Sequence, residues 1–230
     1  MTTVDLSYNQ ISDVENSGNG YKGLNVETLT LANNAFERFP NELFDARSSI
    51  GYLDLRANKI STIKQDVFKC EEAKWLSALD LSYNELTTLR NKDEKGDDMD
   101  RIISAETLPY LYGIELSYNR FSEFPWDPLN VSYLTTMAVR GQRDTEGKRC
   151  LKEWPTGLYN HKGLRGFYIG SNGLGVINDE ISYLIYVLDI SDNPDIVFDA
   201  SNICYYYQMG AFILYYDKTQ NIKNCDILFD

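Results

Sequence analysis

The sequence predicts an α/β solenoid of about nine repeats, built on short parallel strands. Three observations carry that expectation. A nine-residue pattern, apolar-x-x-apolar-x-apolar-x-x-Asn, recurs in phase along almost the whole chain. The peptide Leu-Ser-Tyr-Asn appears three times, at Leu6–Asn9, Leu81–Asn84 and Leu116–Asn119. The composition, 43% hydrophobic and 24% charged, supplies enough apolar residues for a packed core and excludes wholesale disorder.

The pattern fits at Met1–Asn9, Val26–Asn34, Ile50–Asn58, Leu76–Asn84, Leu111–Asn119, Leu134–Gln142, Leu164–Asn172, Ile185–Asn193 and Met209–Asp217. Its terminal residues are spaced 25, 24, 26, 35, 23, 30, 21 and 24 apart. The alternation in Leu29-Thr-Leu31 has period two, so each copy reads as a short strand with one buried face. One repeat cannot bury that face alone, and stacked neighbours share a continuous core. Each copy must then turn back through a buried bend whose backbone polar groups need partners. An inward Asn amide, with donors and an acceptor, can serve two adjacent bends.

These residues resemble the leucine-rich repeat family over nearly the whole chain. The pairs Leu29/Leu31, Leu53/Leu55, Leu79/Leu81 and Ile114/Leu116 stand at its apolar positions, each followed by the Asn. A second apolar pair comes after the Asn: Ile11/Val14, Phe36/Phe39, Ile60/Ile63, Leu86/Leu89, Phe121/Phe124 and Leu174/Ile177, with Pro40 and Pro125 at matching places. Asp144 and Asp195 depart from the pattern at a normally apolar position. The resemblance implies a curved parallel sheet on a concave face, with short helices, 3-10 turns and loops on the convex face. It assigns Asn9, Asn34, Asn58, Asn84, Asn119, Asn172 and Asn193 to a structural ladder. The irregular repeat lengths and Tyr-rich strands look like secreted or surface-anchored bacterial members, which implies adhesion or host contact at an extracellular location. A cytoplasmic scaffold is the alternative.

On the convex side, Asn41–Ala46 and Gln65–Trp75 read as short helices. The 35-residue step holds Arg90–Asp100, a charge run that reads as a solvated loop. The 30-residue step holds 142–162, which either lengthens a convex turn or overhangs the sheet. One solenoid is expected over 1–230, with 218–230 as a closing turn. The first repeat begins at Met1 without a polar cap, which reads as a piece of a longer protein. The four cysteines have no metal-ligand spacing, so no metal is expected. In the repeat frame, Cys204 and Cys225 fall one coil apart, which makes them a candidate disulfide. The alternative is four free thiols.

In such a solenoid the residues between the apolar positions point out of the concave sheet. Read as columns, they place Asp54, Asp80 and Glu115 on consecutive strands, with Arg56 beside Asp54. Tyr52, Tyr112, Tyr168 and Tyr186 add rings to the same surface, and Arg140 and Asp189 lie on later strands. Tyr gives large contact area at low entropic cost. The columns therefore point to an acidic, Tyr-rich face for a protein or peptide partner with basic groups. The plainer reading is that Asp and Tyr only keep an exposed sheet wet. Replacing Asp54, Asp80 and Glu115 with Lys is expected to abolish partner capture without lowering stability. A carbohydrate-binding module and a structural spacer are the rival readings.

The remaining function classes fare worse. A net charge of −12 opposes nucleic acid and anionic membranes. No apolar run approaches the ~20 residues of a membrane helix. The single His, His161, lies in an insertion, and no nucleophile elbow or phosphate-loop Lys is present. The chain reads as a noncatalytic module without a cofactor.

Overall fold

The computed structural model describes residues 2–14, 26–44, 49–92, 95, 99–178, 180–182 and 184–226. It contains two compact units, residues 1–119 with 125–134 and residues 120–124 with 135–230.

The first unit stacks five parallel strands: β1 (Thr3–Asp5), β2 (Val26–Thr30), β3 (Ile50–Asp54), β4 (Ala78–Asp80) and β5 (Gly113–Glu115). Register is uniform, with Val4, Leu29, Leu53, Leu79 and Ile114 level across the ladder. Period-two alternation fixes that register, because a one-residue slip would turn every buried Leu outward. Behind the strands, Phe39, Phe44 and Phe68 pack edge-on and face-on at 5.4–6.4 Å. Each such side chain removed from water contributes roughly 1.5–3 kcal/mol.

The returns are tighter than the expected short helices. Asn41–Phe44 and Glu72–Trp75 are 3-10 turns. The stretch from Lys64 to Lys69 is a run of single turns, closed by Val67 N–H on Lys64 O and Lys69 N–H on Asp66 O. An i+3 bond advances the chain in fewer residues than an α-turn, which suits a return of this length. Residues 45 and 46 of the expected Asn41–Ala46 helix lie outside the described residues.

The charged insertion has a buried anchor. Asp127, 1% exposed, accepts Arg90 Nε at 3.0 and 3.2 Å and Arg90 Nη2 at 2.8 Å, and Arg101 Nε lies 3.6 Å away. Both ends of the insertion are thereby held on one carboxylate. Between them Lys92, Lys95, Met99 and Asp100 are exposed, whereas residues 93, 94 and 96–98 lie outside the described residues.

The second unit contains β6 (Thr136–Ala138), β7 (Gly166–Tyr168), β8 (Val176–Ile177), β9 (Val187–Asp189), β10 (Val197–Asp199), helix α1 (Ser201–Gln208), β11 (Ile213–Tyr215) and β12 (Asn221–Lys223). Strands β6, β7, β9 and β11 continue the repeat pattern in parallel. Strands β8, β10 and β12 form a separate three-stranded parallel sheet from the return segments. Extended or 3-10 returns were expected on this side, and these are extended: Val176, Ile177 and Val197 are β-branched and Phe198 is aromatic, which favours strands. Ile196 and Phe198 are buried in place of the displaced apolar position at Asp195.

The last repeat is shifted by two residues from the sequence alignment. Leu214, rather than Phe212, pairs with Leu188. Two residues then reach back to the preceding coil: Gln220 donates to Ile190 O at 2.8 Å and Asn193 O at 3.1 Å, and Asp217 accepts Asp192 N–H at 2.5 Å. Phe212 is still buried and packs before the strand. Cys204 on α1 and Cys225 after β12 are joined by a disulfide, and Cys70 and Cys150 are not disulfide-bonded. The 142–162 insertion opens as a hairpin, with Arg143 paired to Arg149. Its arginines reach Ser171 O, Asn172 O and Asp192, and Leu151, Trp154 and Leu158 enter the core.

Candidate functional site

Each strand of the repeat has a trailing edge, where the chain leaves the sheet, and a leading edge, where it arrives. The trailing edge is built from a fixed set of hydrogen bonds. The last strand residue is acidic in five repeats, and its carboxylate accepts the N–H two residues on. Asp5 accepts Ser7, Asp54 accepts Arg56, Asp80 accepts Ser82, Glu115 accepts Ser117 and Asp189 accepts Ser191, all at 2.9–3.1 Å. The Ser82 and Ser191 hydroxyls add a second bond at 2.6 Å each. Short acidic side chains favour such local turns.

The next residue is left-handed. Tyr8, Asn33, Ala57, Tyr83, Tyr118, Ser171 and Asp192 have φ of 51–57°, and Gly141 has 62°. For a residue with a Cβ this costs about 1–2 kcal/mol. The bend turns the following Asn inward. Asn58 is typical: its Nδ2 donates to Leu31 O at 3.1 Å and Leu55 O at 3.0 Å, and its Oδ1 accepts Phe36 N–H at 3.1 Å. Asn34, Asn84 and Asn119 repeat the arrangement, as do Asn172 and Asn193 in the second unit. Gln142 takes an Asn place, accepting Phe121 N–H at 3.1 Å. Asn9 donates only within its own coil, to Leu6 O and Ser7 O.

These bonds revise the acidic column. Asp54 and Asp189 were expected to face solvent from the sheet, yet they are 2% and 4% exposed. Arg56 closes over Asp54 at 3.4 Å, and burial pushes the Asp54 carboxyl above its ordinary value. Arg140 closes over Asp189 at 2.6 Å and lies 4.7 Å from the Tyr168 ring centre. Gly170 makes room for this inward carboxylate, since a Cβ there would sit 3.0 Å from Asp189 Oδ1. Asp80 and Glu115 are half-buried on adjacent strands. Lys at Asp54, Asp80 and Glu115 cannot accept the three turn N–H groups. The Lys triple variant should therefore lose stability, unlike the sequence expectation.

Tyr52 lies level with Ala78 and Gly113 on the neighbouring strands, so its ring stands beside a low floor. Burial, then the Asp54 and Asp80 carboxylates, push its phenol up to about 12. Tyr112 is exposed on the first unit, and Tyr186 on the second.

The leading edge of the first unit holds a feature the column reading missed. Trp75, Tyr110 and Tyr133 are 63%, 53% and 64% exposed. Each immediately precedes a buried Leu, namely Leu76, Leu111 or Leu134, which opens a repeat. Trp75 and Tyr110 stack at 6.1 Å, and Tyr110 and Tyr133 lie 6.2 Å apart. Tabulating the residue before each repeat's first apolar position would have revealed the row. His161 serves locally, its Nδ1 accepting Leu164 N–H at 2.9 Å. Among the described residues, no three His, Cys, Asp or Glu side chains gather as a metal ion would need. No helix among them is long and apolar enough to cross a membrane.

The comparisons agree with this architecture. Family profiles described as leucine rich repeat match residues 24–86 and 1–14. Tsukushi of Gallus gallus is 26% identical over 205 residues, covering 85% of this chain and 48% of that protein. The crystal structure of a leucine-rich repeat protein from Bacteroides thetaiotaomicron VPI-5482 is 38% identical with a TM-score of 0.90, over 100% of this chain and 27% of that one. A leucine-rich repeat protein from Bacteroides eggerthii DSM 20697 is also 38% identical, with a TM-score of 0.86, over 100% of this chain and 38% of its own length. The chain thus spans half or less of each of these relatives. With its strands, left-handed bends and inward Asn side chains all in one register, the chain belongs to the leucine-rich repeat family.

Proposed function

We propose that this chain is a noncatalytic protein-interaction module whose first unit captures a basic protein or peptide segment on its outward sheet face. Leucine-rich repeat proteins generally mediate protein–protein interaction, and the fold is typically noncatalytic. One observation carries the choice of face. Asp80 and Glu115 stand level on adjacent strands and half-buried, two like charges side by side that make the potential over β4 and β5 negative. A Lys or Arg stem would lie along the Tyr52 ring above Ala78 and Gly113, with its head at Asp80 and Glu115. Asp54, under Arg56, supports that geometry without touching the ligand. Tyr112 borders the same face. In the second unit, Tyr168, Arg140 and Asp189 form a self-paired cluster with less free charge to offer.

The proposed setting is an extracellular or bacterial-surface contact, in adhesion or ligand capture. The Cys204–Cys225 disulfide supports it, since such bonds persist in oxidising compartments. Selection of a random peptide display library on the immobilised protein tests the face. Enriched peptides should carry Lys or Arg and bind more weakly as salt rises. The variant D80N/E115Q keeps both turn acceptors and loses both charges, and should bind at least tenfold more weakly. Peptides without basic residues, or unchanged binding by D80N/E115Q, would sink the assignment.

A further inference from the structure

We propose a second ligand site on the first unit, apart from the acidic face: the aromatic row Trp75, Tyr110 and Tyr133 binds a neutral oligosaccharide. The row is local. The same place in other repeats holds Ser49, Gly163, Leu184 and Gly210. Scattered exposed aromatics are ordinary surface, whereas three on consecutive coils form a contiguous patch. Packing does not require them, because the buried Leu that follows each one fills the core at that level.

The chemistry selects the ligand. Leu6 and Met99 aside, every large hydrophobic side chain exposed on the described residues of the first unit is Tyr or Trp. A sugar ring presents C–H groups on its face and hydroxyls at its rim. These match an aromatic face edged by an O–H or N–H. The ring spacings of 6.1 and 6.2 Å are on the scale of consecutive pyranose rings in an extended oligosaccharide. Charge favours a neutral ligand. Lys74, beside Trp75, is held by Glu71 at 2.6 Å, and the net charge of −12 disfavours phosphate-bearing chains.

Native electrophoresis of the protein in gels containing barley β-glucan, xyloglucan, galactomannan or starch tests the site. At least one polysaccharide should retard the wild type. The variant Trp75→Ala/Tyr110→Ala/Tyr133→Ala should be retarded at least tenfold more weakly, with an unchanged thermal midpoint. If the triple substitution costs folding, Trp75→Ala alone should still weaken retardation severalfold. D80N/E115Q, which breaks the proposed protein site, should be retarded like wild type, so the two readings fail separately. Absence of retardation in all four gels, or full retardation of the folded aromatic variants, would overturn the proposal.

Discussion

The two edges of the first unit's strands are made by the same repeat, yet they differ in what constrains them. At the trailing edge, side-chain oxygens and amides answer backbone groups. Asp80 holds Ser82 N–H, Tyr83 bends left-handed, and Asn84 bridges Leu55 O, Leu81 O and Ile60 N–H. At the leading edge, Trp75, Tyr110 and Tyr133 sit on the surface and answer nothing inside. The comparison teaches where to look for function in a repeat protein. Positions that serve the backbone recur because each coil has the same need, whereas a run of unusual residues confined to three coils reflects something outside the coil.

Three substitutions test the trailing half of that comparison, in falling order of effect. Asn84→Ala should lower unfolding stability by about 3 kcal/mol, because it leaves buried carbonyls and an N–H without partners. Urea unfolding measures this, and a loss under about 1 kcal/mol would mean that other groups can take over the ladder's role. Asp80→Ala should cost about 1 kcal/mol, while Asp80→Asn, which keeps an acceptor for Ser82, should cost less than half of that. Equal losses would show that the charge, not the turn bond, stabilises this edge.

The smallest effect concerns Asp192. Its bonds to Arg149 and Ser171 hold the carboxyl below the ordinary 3.8. A carboxyl whose folded value is depressed contributes stability above its unfolded value and loses it as pH falls through the folded one. Asp192→Asn should therefore be slightly less stable than wild type at pH 7. The gap should close below pH 3.8, as thermal melts across pH can follow. A gap that persists unchanged in acid would point to packing rather than charge.

Much of the fold was legible because the repeat frame is strict. Leu29, Leu53, Leu79 and Ile114 sit where period-two alternation places them, and Asn34 through Asn119 face inward as an amide with two-way bonding must. The frame misled where local packing moved it. Phe212 occupies an apolar position of the motif, but β11 aligns on Leu214, and Gln220 as donor and Asp217 as acceptor share the Asn role. The acidic column was visible as residues, although its turn bonds were not. Spacing alone does not say that Arg56 and Arg140 fold over Asp54 and Asp189.

By itself the sequence determined the repeat, its strands, the inward Asn positions and the acidic and Tyr-rich character of the face. It could do so because those features follow from periodicity, and periodicity is local. Only the tertiary structure decided which carboxylates stay accessible, that Asp127 holds both ends of the charged insertion, and that Trp75, Tyr110 and Tyr133 share one edge. The anchor of the insertion and the aromatic row depend on side chains from different coils meeting. Their partners lie 23–37 residues away in the chain, where no local pattern records them.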